Sequence, residues 1–242
     1  MMNKELINSR FAKTLSSYDE NAKIQKRMAQ RLTEFLPSKQ FNSVLEIGCG
    51  TGFLTKFTTE NLVYKTYKAV DIVEECKPYI EKINSKIEFI NADIENEINN
   101  FQENFDLIIS NASLQWTDDF QSIIENLYSK LNPNGVLLFS TFGKENFREI
   151  YHVLGTTLKY YSTKELNLMF EKLSPKIEEE IHIMSFDSPK EVLKHLQLTG
   201  VNAIESKIWT KKDLLKFENG YKNLCSGRST LTYNPIYIRI TA

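Results

Sequence analysis

Short apolar runs alternate with longer segments whose apolar positions recur at helical spacing. Ser43–Ile47, Tyr67–Ile72, Ile87–Asn91, Phe105–Ser110 and Val136–Ser140 read as strands, each brief, rich in large apolar residues and bounded by polar residues or glycine. The intervening segments read as helices. Asn21–Leu36 places Ile24, Met28, Leu32 and Phe35 on one face and stops before Pro37. Glu74–Ile83 follows the second strand, and the helix before the fifth carries Phe120, Ile123, Ile124, Leu127 and Leu131 on its apolar face. Asn132-Pro133-Asn134-Gly135 reads as a turn. Strands apolar on both faces and joined through helices predict an α/β fold, a doubly wound parallel sheet covered on both sides.

The rhythm breaks after the fifth strand. Residues 144–175 are mostly helical in pattern and predict an insertion over the substrate side of the sheet. Lys176–Phe186 reads as a strand, Pro189–Leu198 and Lys211–Asn223 as helices, and Leu231–Ile240 as the last strand. Pro235 inside that strand calls for a bulge, an edge position or a late strand start. The expected organisation is one domain over residues 1–242, with residues 1–36 as a helical cap.

Composition narrows the function classes. Of 242 residues, 41% are hydrophobic and 25% charged, the profile of a soluble globular chain. Lys and Arg number 30 against 31 Asp and Glu, which argues against wholesale coating of nucleic acid. Met1–Tyr18 lacks the apolar core of a signal peptide, and no run approaches the ~20 residues of a membrane span. Cys49, Cys76 and Cys225 are scattered and form no CxxC pair, so a reducing, cytoplasmic setting is expected and no zinc knuckle. His152, His182 and His195 match no metal or triad spacing.

The chemistry concentrates in Val44-Leu45-Glu46-Ile47-Gly48-Cys49-Gly50-Thr51-Gly52. Glycines let backbone turn sharply and approach a ligand, and the helix that follows offers free N–H groups. Asp71, closing the second strand, is placed to accept hydrogen bonds from ribose hydroxyls. The dinucleotide fingerprint G-x-G-x-x-G would need a third glycine where Phe53 stands.

The pattern G-x-G-x-G, preceded by Glu46, resembles motif I of class I methyltransferases. That resemblance implies a Rossmann-like, mostly parallel seven-stranded sheet that binds S-adenosyl-L-methionine. It places Glu46 at the amino group of the cofactor's methionine moiety and lines the cofactor with Gly48, Cys49 and Gly50. It assigns the ribose to Asp71 and the adenine to Ile72, Asp93 and Ile94, the last two within Asn91-Ala92-Asp93-Ile94. Asn111, after the fourth strand, joins the cofactor-binding set.

Further blocks sharpen the likeness. They are Arg10-Phe11 with Ser17–Ala22 and Gln25, then Ser110-Asn111-Ala112-Ser113-Leu114-Gln115-Trp116, and Phe139–Gly143 with Phe147–Ile150. His195-Leu196 with Thr199-Gly200-Val201-Asn202-Ala203, and Leu231-Thr232-Tyr233, complete the set. Together they resemble the malonyl-acyl-carrier-protein O-methyltransferases of biotin synthesis. The family resemblance implies methylation of the free carboxylate of a malonyl thioester, on acyl carrier protein or coenzyme A, with S-adenosyl-L-homocysteine as product. The segment after Asp71 and the residue Val201 depart from the family pattern.

A carboxylate is ionised at neutral pH, since carboxyl pKa values lie near ~4, so its methylation needs no general base. Arginine suits the grip on a malonyl carboxylate through its planar fork; the candidates are Arg10, Arg27, Arg31, Arg148, Arg228 and Arg239, with Arg148, after the fifth strand, the first choice. Tyr18 is the other expected catalytic residue and, with Gln25, an expected lid over the cofactor. Gln115 and Trp116 sit where open α/β sheets bind ligands and are expected at the substrate. Carrier proteins are acidic, so lysines are expected on the docking surface, with Lys190 and Lys194, or Lys207, Lys211, Lys212 and Lys216, as candidates. The alternatives are methylation of another small carboxylic acid and a cofactor-binding assembly factor that transfers nothing. The Asn/Asp-Pro-Pro-aromatic motif of amino-methylating enzymes is absent, since Ala112-Ser113-Leu114 follows Asn111.

Overall fold

The computed structural model describes residues 3–199, 210–224 and 228–242. Its main sheet has seven strands in the order β3-β2-β1-β4-β5-β9-β6. These are β1 (Ser43–Ile47), β2 (Thr66–Asp71), β3 (Glu88–Asn91), β4 (Phe105–Asn111), β5 (Leu131–Phe142), β6 (Lys176–Glu179) and β9 (Pro235–Thr241). Strands β1 to β5 pair in parallel, and β9 runs antiparallel to both β5 and β6. A separate ribbon pairs β7 (His182–Phe186) with β8 (Ser229–Tyr233).

Strand residues divide by parity between the two faces of the sheet. Val44, Ala69, Leu107, Ile109, Val136 and Leu138 face one core layer. Leu45, Ile47, Val70, Ile108, Leu137 and Phe139 face the other. Both sets are buried, which is why these strands read as continuous apolar runs. The first layer is covered by α2 (Lys23–Glu34), through Met28, Ala29 and Leu32, and by α3 (Phe53–Asn61). The second takes Phe120, Ile123, Ile124 and Leu127 of α6 (Phe120–Ser129).

The N-terminal segment forms two helices, the second close to the helix expected at Asn21–Leu36. The first is α1 (Lys4–Asn21), and the chain breaks at Ala22 (φ −82, ψ 48) before α2. Of α1, only Leu15 is fully buried. After β2 come α4 (Lys77–Ile83) and, past β3, α5 (Ile94–Glu97). Residues 144–175 hold α7 (Arg148–Leu154), α8 (Thr163–Met169) and a short 3-10 turn at Glu171–Leu173. The final helices are α9 (Pro189–Leu198) and α10 (Lys211–Leu224).

Both late strands expected from the sequence are divided. Lys176–Phe186 breaks after Glu179, and its halves join different sheets. Leu231–Ile240 breaks at Asn234, and Pro235 opens β9, a late start of the kind that proline called for; Glu180 N donates to Pro235 O, and Glu180 O takes its hydrogen bond from Asn234 Nδ2 in place of the missing proline N–H. The Asn132–Gly135 turn is present as an irregularity inside β5. Phe105 pairs with Leu131 but Leu107 with Val136, and Asn134 takes a left-handed φ of 64.

Candidate functional site

The site begins where β1 ends. Gly48, Gly50 and Gly52 all adopt positive φ (67, 53 and 86), conformations that cost other L-residues about 1–2 kcal/mol. At Gly48 a Cβ would also lie 2.0 Å from Ser113 Oγ, so the loop can close on the end of β4 only with glycine there. Asp71, at the end of neighbouring β2, pins this loop. One carboxylate oxygen accepts from Gly50 N at 2.8 Å and the other from Val73 N at 2.9 Å. Burial raises the Asp71 pKa above its ordinary value against these backbone bonds.

A crevice opens above the loop. Its floor is Gly48–Thr51, Asp71 and Ile72, and one wall is Asn111–Ser113, Gln115 and Trp116 at the end of β4. Helix α1 supplies Ile7, Phe11 and Tyr18 as a roof, with Gln25 of α2 and Phe53 of α3 beside them. The far end is closed by Phe142, Phe147, Leu158, Tyr160 and Thr199. A contiguous hollow on the β3 side is lined by Lys4, Ala92, Asp93, Ile94 and Thr117, and shares Gly48, Asp71, Ile72 and Trp116 with the crevice. There Lys4 pairs with Asp93 at 3.4 Å and Glu95 at 2.5 Å, tying the start of α1 over the hollow.

Tyr18 sits against Phe11 edge-on at 4.9 Å and stacks on Phe53 at 5.9 Å. Burial first, then the charges of Asp19 and Asp71, pushes its phenol pKa above the ordinary value, so the hydroxyl remains a neutral donor. Asn111 is engaged at both ends of its amide: its Nδ2 donates to Gln25 O at 2.9 Å and its Oδ1 accepts from Ser140 Oγ at 2.8 Å, locking α2 to the sheet. Ala112 next to it is held at φ 49, a strained conformation at the crevice wall. The Gln115 amide nitrogen donates to Ala112 O at 2.7 Å, which fixes the orientation of its carbonyl.

Glu46 lies beneath the loop, fully buried. Its Oε2 accepts from Thr55 Oγ1 at 2.8 Å and from the Tyr67 hydroxyl at 2.5 Å. Burial nevertheless raises its pKa to about 7. Behind the far end, His195 Nε2 meets the Tyr233 hydroxyl at 2.7 Å, and burial, with Lys23 nearby, lowers the imidazole pKa to about 4, keeping it neutral.

The structure thus gathers Tyr18, Gly48, Cys49, Gly50, Asp71, Ile72, Asp93, Ile94, Asn111, Gln115 and Trp116 at one crevice and its adjoining hollow. Glu46 underlies it, and Arg148 is not brought to it. Phe147 takes a left-handed φ of 55 and turns its ring into the crevice, so Arg148 begins α7 on the outside, paired with Glu145 at 3.1 Å. Phe53 and Tyr160 leave no mark in the sequence, and Phe11 and Phe147 show only as members of family blocks, because an aromatic wall is indistinguishable by type from core. Gly200–Ala203 and Lys207 lie outside the described residues.

Four buried side-chain oxygens at or under the crevice have no hydrogen-bond partner: Gln25 Oε1, Glu46 Oε1, Thr51 Oγ1 and Gln115 Oε1. Leaving such acceptors unmet costs about 1–3 kcal/mol each, so their concentration here suits a ligand that brings hydrogen-bond donors. Among the described lining residues the ionisable side chains are Tyr18, Cys49, Asp71 and Tyr160, joined in the hollow by Lys4 and Asp93. Burial raises the Cys49 and Tyr160 pKa values, so both stay protonated. No grouping of metal-ligating side chains is found among the described residues. The arrangement can hold a nucleoside and a charged acceptor and exclude water, and the carboxylate in the crevice lining, Asp71, is already engaged by two backbone N–H groups.

Comparison with known proteins agrees with this geometry. Residues 18–201 match a family model described as a methyltransferase domain. The chain is 38% identical to the malonyl-[acyl-carrier protein] O-methyltransferase of Calditerrivibrio nitroreducens, over 96% of this chain and 94% of that one. It is 35% identical to the protein of that name from Chlorobium luteolum, covering 98% and 95% of the two chains. The Haemophilus influenzae protein of that name is 31% identical, with 98% and 94% covered. In fold, the chain resembles a SAM-dependent methyltransferase from Geobacter sulfurreducens solved with S-adenosyl-L-homocysteine, at TM-score 0.55 and 12% identity, with 91% of each chain covered. A SAM-dependent methyltransferase from Archaeoglobus fulgidus gives TM-score 0.52 at 16% identity, covering 90% of this chain and 93% of that one.

Proposed function

The chain belongs to the malonyl-[acyl-carrier protein] O-methyltransferases, and on that premise we propose that it methylates the free carboxylate of a malonyl thioester, using S-adenosyl-L-methionine. The observation that carries the reading is a glycine loop pinned by Asp71 beneath a crevice whose described lining gathers buried side-chain oxygens that lack a hydrogen-bond partner. Acyl carrier protein is the handle favoured by the relatives' names, and malonyl-coenzyme A presents the same carboxylate. The esterified product suits an early step of biotin synthesis.

The residues fit the cofactor. Asp71 keeps lone pairs beyond its two backbone bonds for ribose hydroxyls, and the Gly48–Gly50 backbone runs beside it. Ile72, Ile94 and Asp93 suit an adenine in the adjoining hollow. Glu46, with one carboxylate oxygen unpartnered, suits an amino group. When bound, S-adenosyl-L-methionine supplies a methyl group on a sulfonium sulfur and leaves as S-adenosyl-L-homocysteine.

The protein's part is alignment and dryness. The malonyl carboxylate arrives ionised, since such groups have pKa values near ~4, so no side chain need take a proton. Phe11, Phe53, Phe147 and Trp116 exclude water, and removing water favours a reaction in which the acceptor loses its charge. Tyr18 and Tyr160 present neutral hydroxyls that can orient a carboxylate without quenching it. The test is the initial rate of S-adenosyl-L-homocysteine formation with malonyl-, succinyl- and acetyl-carrier protein. Turnover with malonyl and none with acetyl supports the reading. Equal rates would remove it.

Glu46 gives a pH-dependent expectation. Its folded pKa of about 7 lies above the ordinary 4.5, so between those values the folded chain holds a proton that the unfolded chain releases. Stability therefore falls as pH rises from 4.5 through 7, by at most roughly 3 kcal/mol. Glu46→Gln is expected to melt higher than the parent at pH 8, with the gap closing at pH 5. The same variant should bind the cofactor about tenfold more weakly at pH 8, because a neutral amide pairs poorly with an ammonium. Unchanged affinity by calorimetry would remove Glu46 from the cofactor site.

A further inference from the structure

We propose that the outer face of the first turns of α2, formed by Lys23, Lys26 and Arg27, is the surface on which the acidic carrier protein docks; this rests on the carrier-protein reading above. All three side chains are exposed, and among the described residues none is ion-paired. The cluster is not a symptom of a basic chain, because the net charge is −1. The next cation on the helix, Arg31, is held by Glu34, Glu178 and Glu180 and marks the end of the open patch. Asp19 and Glu20 are exposed too, but on α1, before the break at Ala22.

Position distinguishes this patch from the other lysines. The opposite side of the same helix carries Gln25, which lines the crevice. Lys26 Nζ lies 5.7 Å from the ring centre of Phe53, itself a lining residue. Lys23 is close enough to His195 of α9 to depress its protonation, and the end of that helix brings Thr199 to the crevice. A carrier seated here is separated from the acceptor end by about one helix diameter, ~10–12 Å, a span its flexible acyl arm covers. Lys211, Lys212 and Lys216 of α10 are exposed as well, but that helix packs on α7 and α9 and contributes no residue to the crevice among those described.

The test compares Lys23→Glu/Lys26→Glu/Arg27→Glu and the milder triple glutamine variant with the parent chain, with Lys211→Glu/Lys212→Glu as the comparator. The substrate is malonyl-acyl carrier protein at low and at moderate salt. The α2 triple should raise KM about tenfold or more with kcat little changed, and should flatten the rise of KM with salt seen in the parent. Calorimetric affinity for S-adenosyl-L-methionine, unchanged in the triples, verifies the crevice. The α10 pair should stay within about twofold of the parent. Unchanged KM in both α2 triples, or a rise confined to the α10 pair, overturns the proposal. Should the parent not turn over malonyl-carrier protein, the functional reading fails separately. Binding of the unacylated carrier to parent and triple, by interferometry, then decides the surface: loss in the triple supports it and equal binding overturns it.

Discussion

Asp71→Asn is expected to abolish measurable cofactor binding while leaving the chain folded. The carboxylate does two things at once. It holds the glycine loop through Gly50 N and Val73 N, and it faces the crevice with its remaining lone pairs. An amide in its place keeps the shape but turns a donor toward one of those N–H groups. Hydrogen bonds to a charged acceptor contribute about 1.5–3 kcal/mol each, so losing two to the ribose weakens binding by at least roughly a hundredfold. Stability should respond far less. Burial already raises the Asp71 pKa, so the folded state gains from neutralisation what it loses in one backbone bond. The melting temperature is expected to move by only a few degrees, about the effect of 1 kcal/mol in a chain of this size. Calorimetry beside a thermal melt separates the two. Retained binding would mean that Asp71 only shapes the loop, and a collapse in melting temperature would mean that it is mainly structural.

Gly48→Ala should instead damage fold and binding together. Its positive φ costs alanine about 1–2 kcal/mol. The new methyl would also overlap Ser113 Oγ at 2.0 Å and Ser113 Cβ at 2.3 Å. The second contact is decisive, because a Cβ cannot swing away without moving its own backbone. That backbone follows Ala112, which is already held at φ 49. Overpacking of this kind adds about 1–3 kcal/mol, so a melting-temperature loss of roughly 5–15 °C is expected. Gly52→Ala makes a useful contrast. Its Cβ meets first the tip of Ile83, a flexible end that can give way, so it should pay mostly for φ. A Gly48 variant as stable as the Gly52 variant would show that β4 and the loop move apart freely.

The elements that were legible in the sequence were those where chemistry or backbone demands a residue type. The glycine loop, Asp71 and Asp93 are legible because open backbone and acceptors at strand ends leave a mark in one dimension. The buried strands of the sheet were legible because both faces are covered. What was not legible depends on phase and on distant partners. Lys176–Phe186 looks like one strand until β9 claims its first half and β8 its second. Pro235 signalled irregularity, but not that Asn234 would tie the break to Gly143 and Asn146. Arg148 and Phe147 are adjacent, and the left-handed turn at Phe147 decided which of them met the crevice. The roof formed by α1 is legible as a helical lid through Tyr18, but not through Ile7, which carries no sign of a ligand face.

The most direct test of the central claim is the mass of the acyl carrier after incubation with the protein and S-adenosyl-L-methionine carrying a deuterated methyl group. One labelled methyl is expected on malonyl-carrier protein, placed on the malonyl fragment by tandem mass spectrometry and removed by mild saponification, with none on acetyl-carrier protein. A label on the carrier polypeptide, a label that survives saponification, or no label despite calorimetric cofactor binding would contradict carboxyl methylation.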